Sequence, residues 1–220
     1  MEDPLHDSVS SVEVLNIMGN DLTVVNAARV SFAKESKDLN GADEKLIQYL
    51  ARNGHISPFF HPMIQLRIKM PIFVAREWFR HTIGFARNEV SRRYVDFEPE
   101  CFIPTDIRAR DPKLKQGSKA ENVDANDEVR SIIQKYTKNS IDTYNCLLSL
   151  DVAPELARIV LPQSMYTEFI ETASLSAYAR LCALRLDPHA QKEIRQYATA
   201  IDSLLRPRFP VSWAALMDKT

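Results

Sequence analysis

The residues best suited to chemistry lie in one stretch, residues 76–94, REWFRHTIGFARNEVSRRY. Arg76, Arg80, Arg87, Arg92 and Arg93 are opposed there only by Glu77 and Glu89, and His81 adds a possible donor. A guanidinium is a planar fork that fits the oxygens of a phosphate or carboxylate. Phe79, Phe85 and Tyr94 interleave with these cations and offer faces on which a planar ring can stack. On composition alone, a solvated basic helix followed by a loop accounts for the same run.

Two further clusters stand apart from it. Residues 54–61, GHISPFFH, place His55 and His61 in a proline-containing turn. No third ligand stands at a convincing spacing, so hydrogen bonding is expected there and no metal. Arg158 sits in the apolar segment ELARIVLP, and Arg185 ends the apolar helix pattern SLSAYARLCALRL. An arginine among Leu, Ile and Val either snorkels to water or meets an anion.

The rest of the chain must position these groups. Its 220 residues fit one large domain or two small ones. Hydrophobic residues make up 45% and charged residues 26%, which excludes wholesale disorder. The net charge of −1 gives no global attraction to nucleic acid or membrane, so an anionic ligand must be met locally. Glycine is scarce and neither GxGxxG nor GxxxxGK[ST] occurs, against Rossmann and P-loop cradles. The N-terminus lacks an apolar signal region, and apolar runs are interrupted before bilayer length. Cys101, Cys146 and Cys182 are far apart and form no CxxC pattern; three reduced, mostly buried thiols and a cytoplasmic location are expected.

The spacing predicts a flexible tail over 1–10 and a strand from Val12 to Met18. A helix capped by Asp21 follows, then a second beginning at Asp43. A strand over 63–70 alternates Ile64, Leu66, Ile68 and Met70 with Gln65, Arg67 and Lys69. Further helices are predicted over 71–80, 128–149, 154–161 and 174–186, and from a cap at Asp187 to Leu205. Residues 105–128 are polar and read as a mobile surface loop. Together these define one α+β domain over 11–220.

The run PIFVAREWFRHTIGFARNEVSRRY resembles the signature of the flavin-dependent thymidylate synthases, in which Arg-His-Arg is followed by Asn-Glu-x-Ser-x-Arg-Tyr. Segments 18–32, 54–61, 155–162 and 184–198 resemble further family blocks in family order. The resemblance implies an α+β homotetramer with mixed or antiparallel sheet and flanking helices. FAD and nucleotide sites lie at its subunit interfaces. It implies C5-methylation of dUMP to dTMP, with NADPH and 5,10-methylenetetrahydrofolate as co-substrates and no cysteine attacking the ring.

It also implies roles for single residues. Arg185 matches the arginine that promotes ionisation of uracil N3. Arg158, Arg93 and the region of Val90, Ser91 and Arg92 match nucleotide contacts. Arg80, His81 and Glu89 match positions shared by flavin and nucleotide, and His55 and Ser57 match flavin-side positions. Thr82 departs from the pattern by replacing an arginine, and Glu77 by replacing a substrate-contacting glutamine. Ser174, Ser176 and Arg180 stand where Asn, Arg and Asn are usual beside the flavin. Arg180 is expected to restore the charge that Thr82 removes. These departures leave two alternatives open: UMP as substrate, with Glu77 accepting a hydrogen bond from the ribose 2′-OH, or a non-catalytic nucleotide-binding homologue. Nucleic-acid binding is not expected.

Overall fold

The computed structural model describes residues 1–95, 97–112 and 117–218. In chain order the elements are β1 (Ser11–Met18), α1 (Asp21–Arg29), α2 (Gly41–Arg52), β2 (Met63–Pro71), α3 (Ile72–Trp78) and β3 (Phe85–Glu89). They continue with β4 (Arg108–Arg110), β5 (Ser118–Asn122), α4 (Asn126–Ser149) and α5 (Pro154–Ala157). β6 (Tyr166–Ser174), α6 (Leu175–Arg185), α7 (Lys192–Leu205) and α8 (Pro210–Met217) complete the chain. Short 3-10 turns occupy Val30–Phe32, Ser57–Phe60 and Arg158–Val160. The mixture of helix and sheet agrees with the α+β expectation.

The polypeptide divides into two compact units, each assembled from separated segments. The first contains Met1–Ile68, Trp78–Asn88 and the chain from Phe169 onward. The second contains Lys69–Glu77 and Glu89–Glu168. The chain passes between them within regular elements, so no linker composition marks a boundary in the sequence.

A four-stranded sheet of order β1-β2-β6-β3 runs through the first unit. The period-two pattern of β2 sends Ile64, Leu66 and Ile68 into the core with no exposure. On its other face Gln65 Nε2 donates to Thr172 Oγ1 at 3.1 Å, and Arg67 pairs with Glu13 at 3.1 Å. Helices α6, α7 and α8 add Leu181, Ile194, Tyr197, Ile201, Leu205 and Trp213, all fully buried. Burying each such side chain contributes roughly 1.5–3 kcal/mol before the entropy of ordering is counted.

Several boundaries differ from the sequence reading for identifiable reasons. Asn20, not Asp21, caps α1: its side chain accepts from Thr23 N, and Thr23 Oγ1 accepts from Asn20 N. Asp21 is instead 5% exposed, and its carboxylate accepts from Val211 N at 3.0 Å and Ser212 N at 2.8 Å. It thus satisfies orphan amides at the start of α8, an element absent from the sequence reading. Asn40 caps α2, with Asp43 completing the reciprocal capping box. Asp187 does not cap α7; its Oδ1 accepts from His189 N in a turn, and the helix begins at Lys192. Residues 1–10 were expected as a flexible tail. Glu2 pairs with Val12 through two backbone bonds of 3.0 Å, and Asp3 accepts from Ser8 N and Ser10 Oγ.

In the second unit, Ile72 N donates to Met165 O at 2.9 Å and Phe73 N to Gln163 O at 3.0 Å. α4 is the longest helix described, with 24 residues, and buries Thr137, Ser140 and Tyr144. The expected polar loop over 105–128 falls in this unit. It holds the antiparallel pair β4–β5, with Arg108 opposite Asn122 and Arg110 opposite Ser118. Residues 113–116 lie outside the described residues.

Removing the Asp21 carboxylate strands two amide donors under α8. Asp21→Ala is expected to cost about 1–3 kcal/mol in urea unfolding, with Asp21→Asn recovering part of it. An unchanged midpoint for Asp21→Ala would show that the contact does not stabilise the fold.

Candidate functional site

In the first unit a short segment leaves α3 and turns into β3. His81 N donates to Trp78 O at 3.1 Å, and Phe85 N to Thr82 O at 3.2 Å. Gly84 adopts φ +82°, and a Cβ there would lie 3.2 Å from Ala177 Cβ. Glycine is therefore required both by backbone conformation and by the close approach to α6.

α6 is buried around most of its circumference from Leu175 to Cys182, so its position against the segment is fixed by packing. Ser174 is its N-cap and accepts from Ala177 N at 3.2 Å. Arg180 and Arg185 emerge farther along the helix. Arg180 Nη2 donates to Ile83 O at 2.6 Å, and Arg185 Nε donates to His81 Nε2 at 2.9 Å. A third guanidinium comes from β3: Arg87 Nη1 donates to His81 O at 2.5 Å. Thr82 is exposed in the middle of this segment, and the charge of Arg180 stands next to it on Ile83.

The geometry decides the state of His81. Because Nε2 accepts, the ring proton belongs on Nδ1. Partial burial, followed by the positive charges of Arg185, Arg87 and Arg180, lowers its pKa to about 4. The imidazole is thus neutral at pH 7, and the local excess of positive charge comes from guanidiniums alone.

Beneath the segment is a group that the sequence reading missed. Glu171 has no exposure and forms an ion pair with Arg87 Nε. Trp78 Nε1 lies 3.3 Å from each of its carboxylate oxygens. Burial pushes the Glu171 carboxyl up, and Arg87 and its hydrogen bonds pull it back. The signal was present: along β6, Glu171 is in phase with the buried Phe169 and Ala173. An acid in an apolar phase needs a cation, and Arg87 is that cation. The strand itself had gone unrecognised.

Other expected site residues gather in the second unit. Arg93 Nε is 3.2 Å from Glu155 Oε2, and Arg158 Nε donates to Glu155 O at 3.3 Å. Ser91 shapes the adjoining turn, with Arg93 N donating to its Oγ at 3.3 Å. Glu89 Oε1 accepts from Thr167 Oγ1 at 2.5 Å. Arg92 turns away: it is buried, donates to Phe97 O and stacks on the Phe97 ring at 4.3 Å. Val90 is exposed and Glu77 half-buried. In the first unit Arg80 is exposed, as are His55, which meets Tyr49 edge-on at 5.9 Å, and Ser57. Ser176 is buried, and its Oγ has no hydrogen-bond partner.

Cys101 and Cys182 are poor nucleophiles. Burial raises the Cys101 thiol to about 11 and drives that of Cys182 well above its usual range. Cys146 is exposed, contrary to the expected burial. Among the described residues no group of three or more His, Cys, Asp and Glu stands together as a metal site, and no helix is long and apolar enough to cross a membrane.

The family model for thymidylate synthase complementing protein matches residues 13–211. A flavin-dependent thymidylate synthase of Kosmotoga olearia is 40% identical over 208 residues, 94% of this chain and 90% of the relative. One from Thermus thermophilus is 39% identical over 218 residues, 98% of this chain and 79% of the relative. Among solved structures, the UMP/dUMP methylase PolB from Streptomyces cacaoi bound with 5-Br dUMP superposes with a TM-score of 0.85 at 30% identity, covering 95% of both chains. The same protein bound with 5-Br UMP gives 0.84 at 28% identity, covering 95% of this chain and 94% of that one. The fold is that of a nucleotide-methylating class of enzyme. Within that class, the chain belongs to the flavin-dependent thymidylate synthase family.

The depressed pKa of His81 makes stability depend on pH. An unfolded histidine binds its proton near pH 6.5, the folded one near pH 4. Between these values the unfolded chain holds more protons, so stability falls as pH drops. Wild type is expected to lose more stability between pH 7 and pH 5 than His81→Gln does, measured by urea unfolding. Equal losses would place the native pKa near its ordinary value.

Proposed function

We propose that the enzyme catalyses reductive C5-methylation of a uridine monophosphate, dUMP to dTMP, with FAD bound and NADPH and 5,10-methylenetetrahydrofolate as co-substrates. The observation carrying this reading is Arg185, whose Nε is held by a neutral His81 among two further guanidiniums. A fixed cation at uracil N3 stabilises the anion that makes C5 nucleophilic. The chemistry then requires C5 to bond the donated methylene carbon and lose its proton. Bound flavin would supply the hydride that completes the methyl group.

The donor set suits an anionic flavin dinucleotide and nucleotide. Arg180 and Arg185 bring positive charge beside the 81–84 segment, and the buried Ser176 Oγ is an unsatisfied polar atom close by in sequence. His55, Ser57, Arg80, His81, Thr82, Glu89, Ser174, Ser176 and Arg180 are assigned to the flavin. Glu77, Arg80, Glu89, Val90, Ser91, Arg93, Arg158 and Arg185 are assigned to the nucleotide, whereas Arg92, turned onto Phe97, drops out of the set that the resemblance implied. Arg93 and Arg158, joined through Glu155, are the pair assigned to its phosphate. The active form is proposed to be a homotetramer, in which other copies would cover exposed apolar side chains such as Ile132, Tyr136 and Ile159. A soluble, cytoplasmic protein with no membrane or nucleic-acid partner fits this chemistry.

A second reading changes only the sugar. The PolB relative is described as a UMP/dUMP methylase and was solved with analogues of both nucleotides. Glu77 offers a half-buried carboxylate able to accept a hydrogen bond from a 2′-OH.

The purified protein is expected to be yellow with bound flavin and to methylate dUMP, UMP or both when NADPH and methylenetetrahydrofolate are present. A colourless protein that forms neither product would refute the reading. Arg185→Met is expected to lower kcat about 100-fold, the scale of losing one donor to a developing oxyanion. Comparing kcat/KM for UMP and dUMP tests the sugar reading: Glu77→Gln should shift the ratio toward dUMP. An unchanged ratio removes Glu77 from sugar selection.

A further inference from the structure

We propose that Arg87 and Glu171 act as a buried positioning pair, fixing the backbone at His81 and thereby aiming Arg185 at the reacting pyrimidine. The catalytic half of this statement rests on the function proposed above; the geometric half does not.

The pair is more elaborate than a salt bridge. The Arg87 guanidinium uses two edges on two different elements. Its Nε faces Glu171 on β6, and its Nη1 donates to His81 O at 2.5 Å. Its plane lies against the rings of Phe85 at 4.6 Å and Phe79 at 5.3 Å, and Nη2 is buried without a hydrogen-bond partner. The Arg87 side chain is 14% exposed and that of Glu171 fully buried. Trp78 Nε1 donates to the same carboxylate, 3.3 Å from each oxygen. Few degrees of freedom remain to this fork.

Stability does not explain such a pair. Replacing a buried ion pair by apolar residues of similar volume is often neutral or stabilising, because desolvation offsets the attraction. What the pair supplies is a fixed distance between β6 and a carbonyl in an otherwise irregular segment. That carbonyl belongs to the residue whose ring accepts from Arg185 Nε at 2.9 Å. Arg180 secures the same segment two residues on, at Ile83 O. Positioning of this kind is where small displacements become large rate losses.

The informative substitution is Arg87→Lys. An ammonium can neutralise Glu171, which protects the fold where Arg87→Met risks unfolding, but it cannot span both Glu171 and His81 O with the geometry of a fork. In flavin-loaded enzyme, Arg87→Lys is expected to keep the wild-type circular dichroism and lower kcat roughly 10- to 100-fold, with KM for the nucleotide changed by less than about 3-fold. In a His81→Ala background the same substitution should cost less than about 2-fold more, because the imidazole that passes the position of the backbone on to Arg185 is gone. An equal loss in both backgrounds overturns the proposal.

A second readout does not depend on turnover. The Arg185 Nε–H resonance, assigned by its loss in Arg185→Lys, should exchange slowly in wild type and rapidly in Arg87→Lys. Unchanged protection in Arg87→Lys also overturns the proposal. Should wild type methylate neither UMP nor dUMP, the function reading fails and this exchange measurement alone decides the geometric half.

Discussion

A carboxylate taken wholly out of water is the constraint around which the first unit is organised. Glu171 occupies a position in β6 where the alternation calls for an apolar side chain. Its desolvation would be prohibitive alone, so a cation has to be brought to it. Arg87 is delivered by β3, the strand neighbouring β6 in the sheet order. The remaining donor edge of that guanidinium fixes the carbonyl of His81. A demand created by burial in the sheet is therefore transmitted to the segment proposed to carry the chemistry.

The electrostatic consequence is as important as the geometric one. Three guanidiniums would ordinarily repel one another, and a protonated imidazole among them would add to that cost. Partial burial and those same charges keep His81 neutral. Its Nε2 can then act as the acceptor that restrains Arg185. The positive field is left to groups that do not titrate near neutrality, which suits a site for a nucleotide and a flavin dinucleotide. Burial by the same logic keeps the Cys101 and Cys182 thiols protonated.

Much of this was legible in the sequence, but unevenly. β2 is a clear period-two pattern, and its core face in the first unit follows the alternation residue by residue. The helices ending near Gly54 and Arg185 could be read because Gly54 closes one and a continuous apolar pattern defines the other. β6 was hidden because YTEFIETAS mixes acids into the alternation, and the buried acid looked like a surface residue. α8 was hidden because Pro210, read as a stop, stands at its first turn, while Asp21, which satisfies its amides, is 190 residues away. The family resemblance pointed to His81 and Arg185, which stand 2.9 Å apart, and to Arg158. It gave no access to Arg87 and Glu171, whose importance arises only when β3 and β6 are placed in one sheet.

The account stands most directly on where the pyrimidine binds. A structure of the flavin-loaded protein with dUMP or UMP is expected to place N3 of the base within hydrogen-bonding distance of the Arg185 guanidinium, with the His81–Arg185 contact retained. A base bound away from Arg185, or a His81 ring turned out to solvent in that complex, would contradict it.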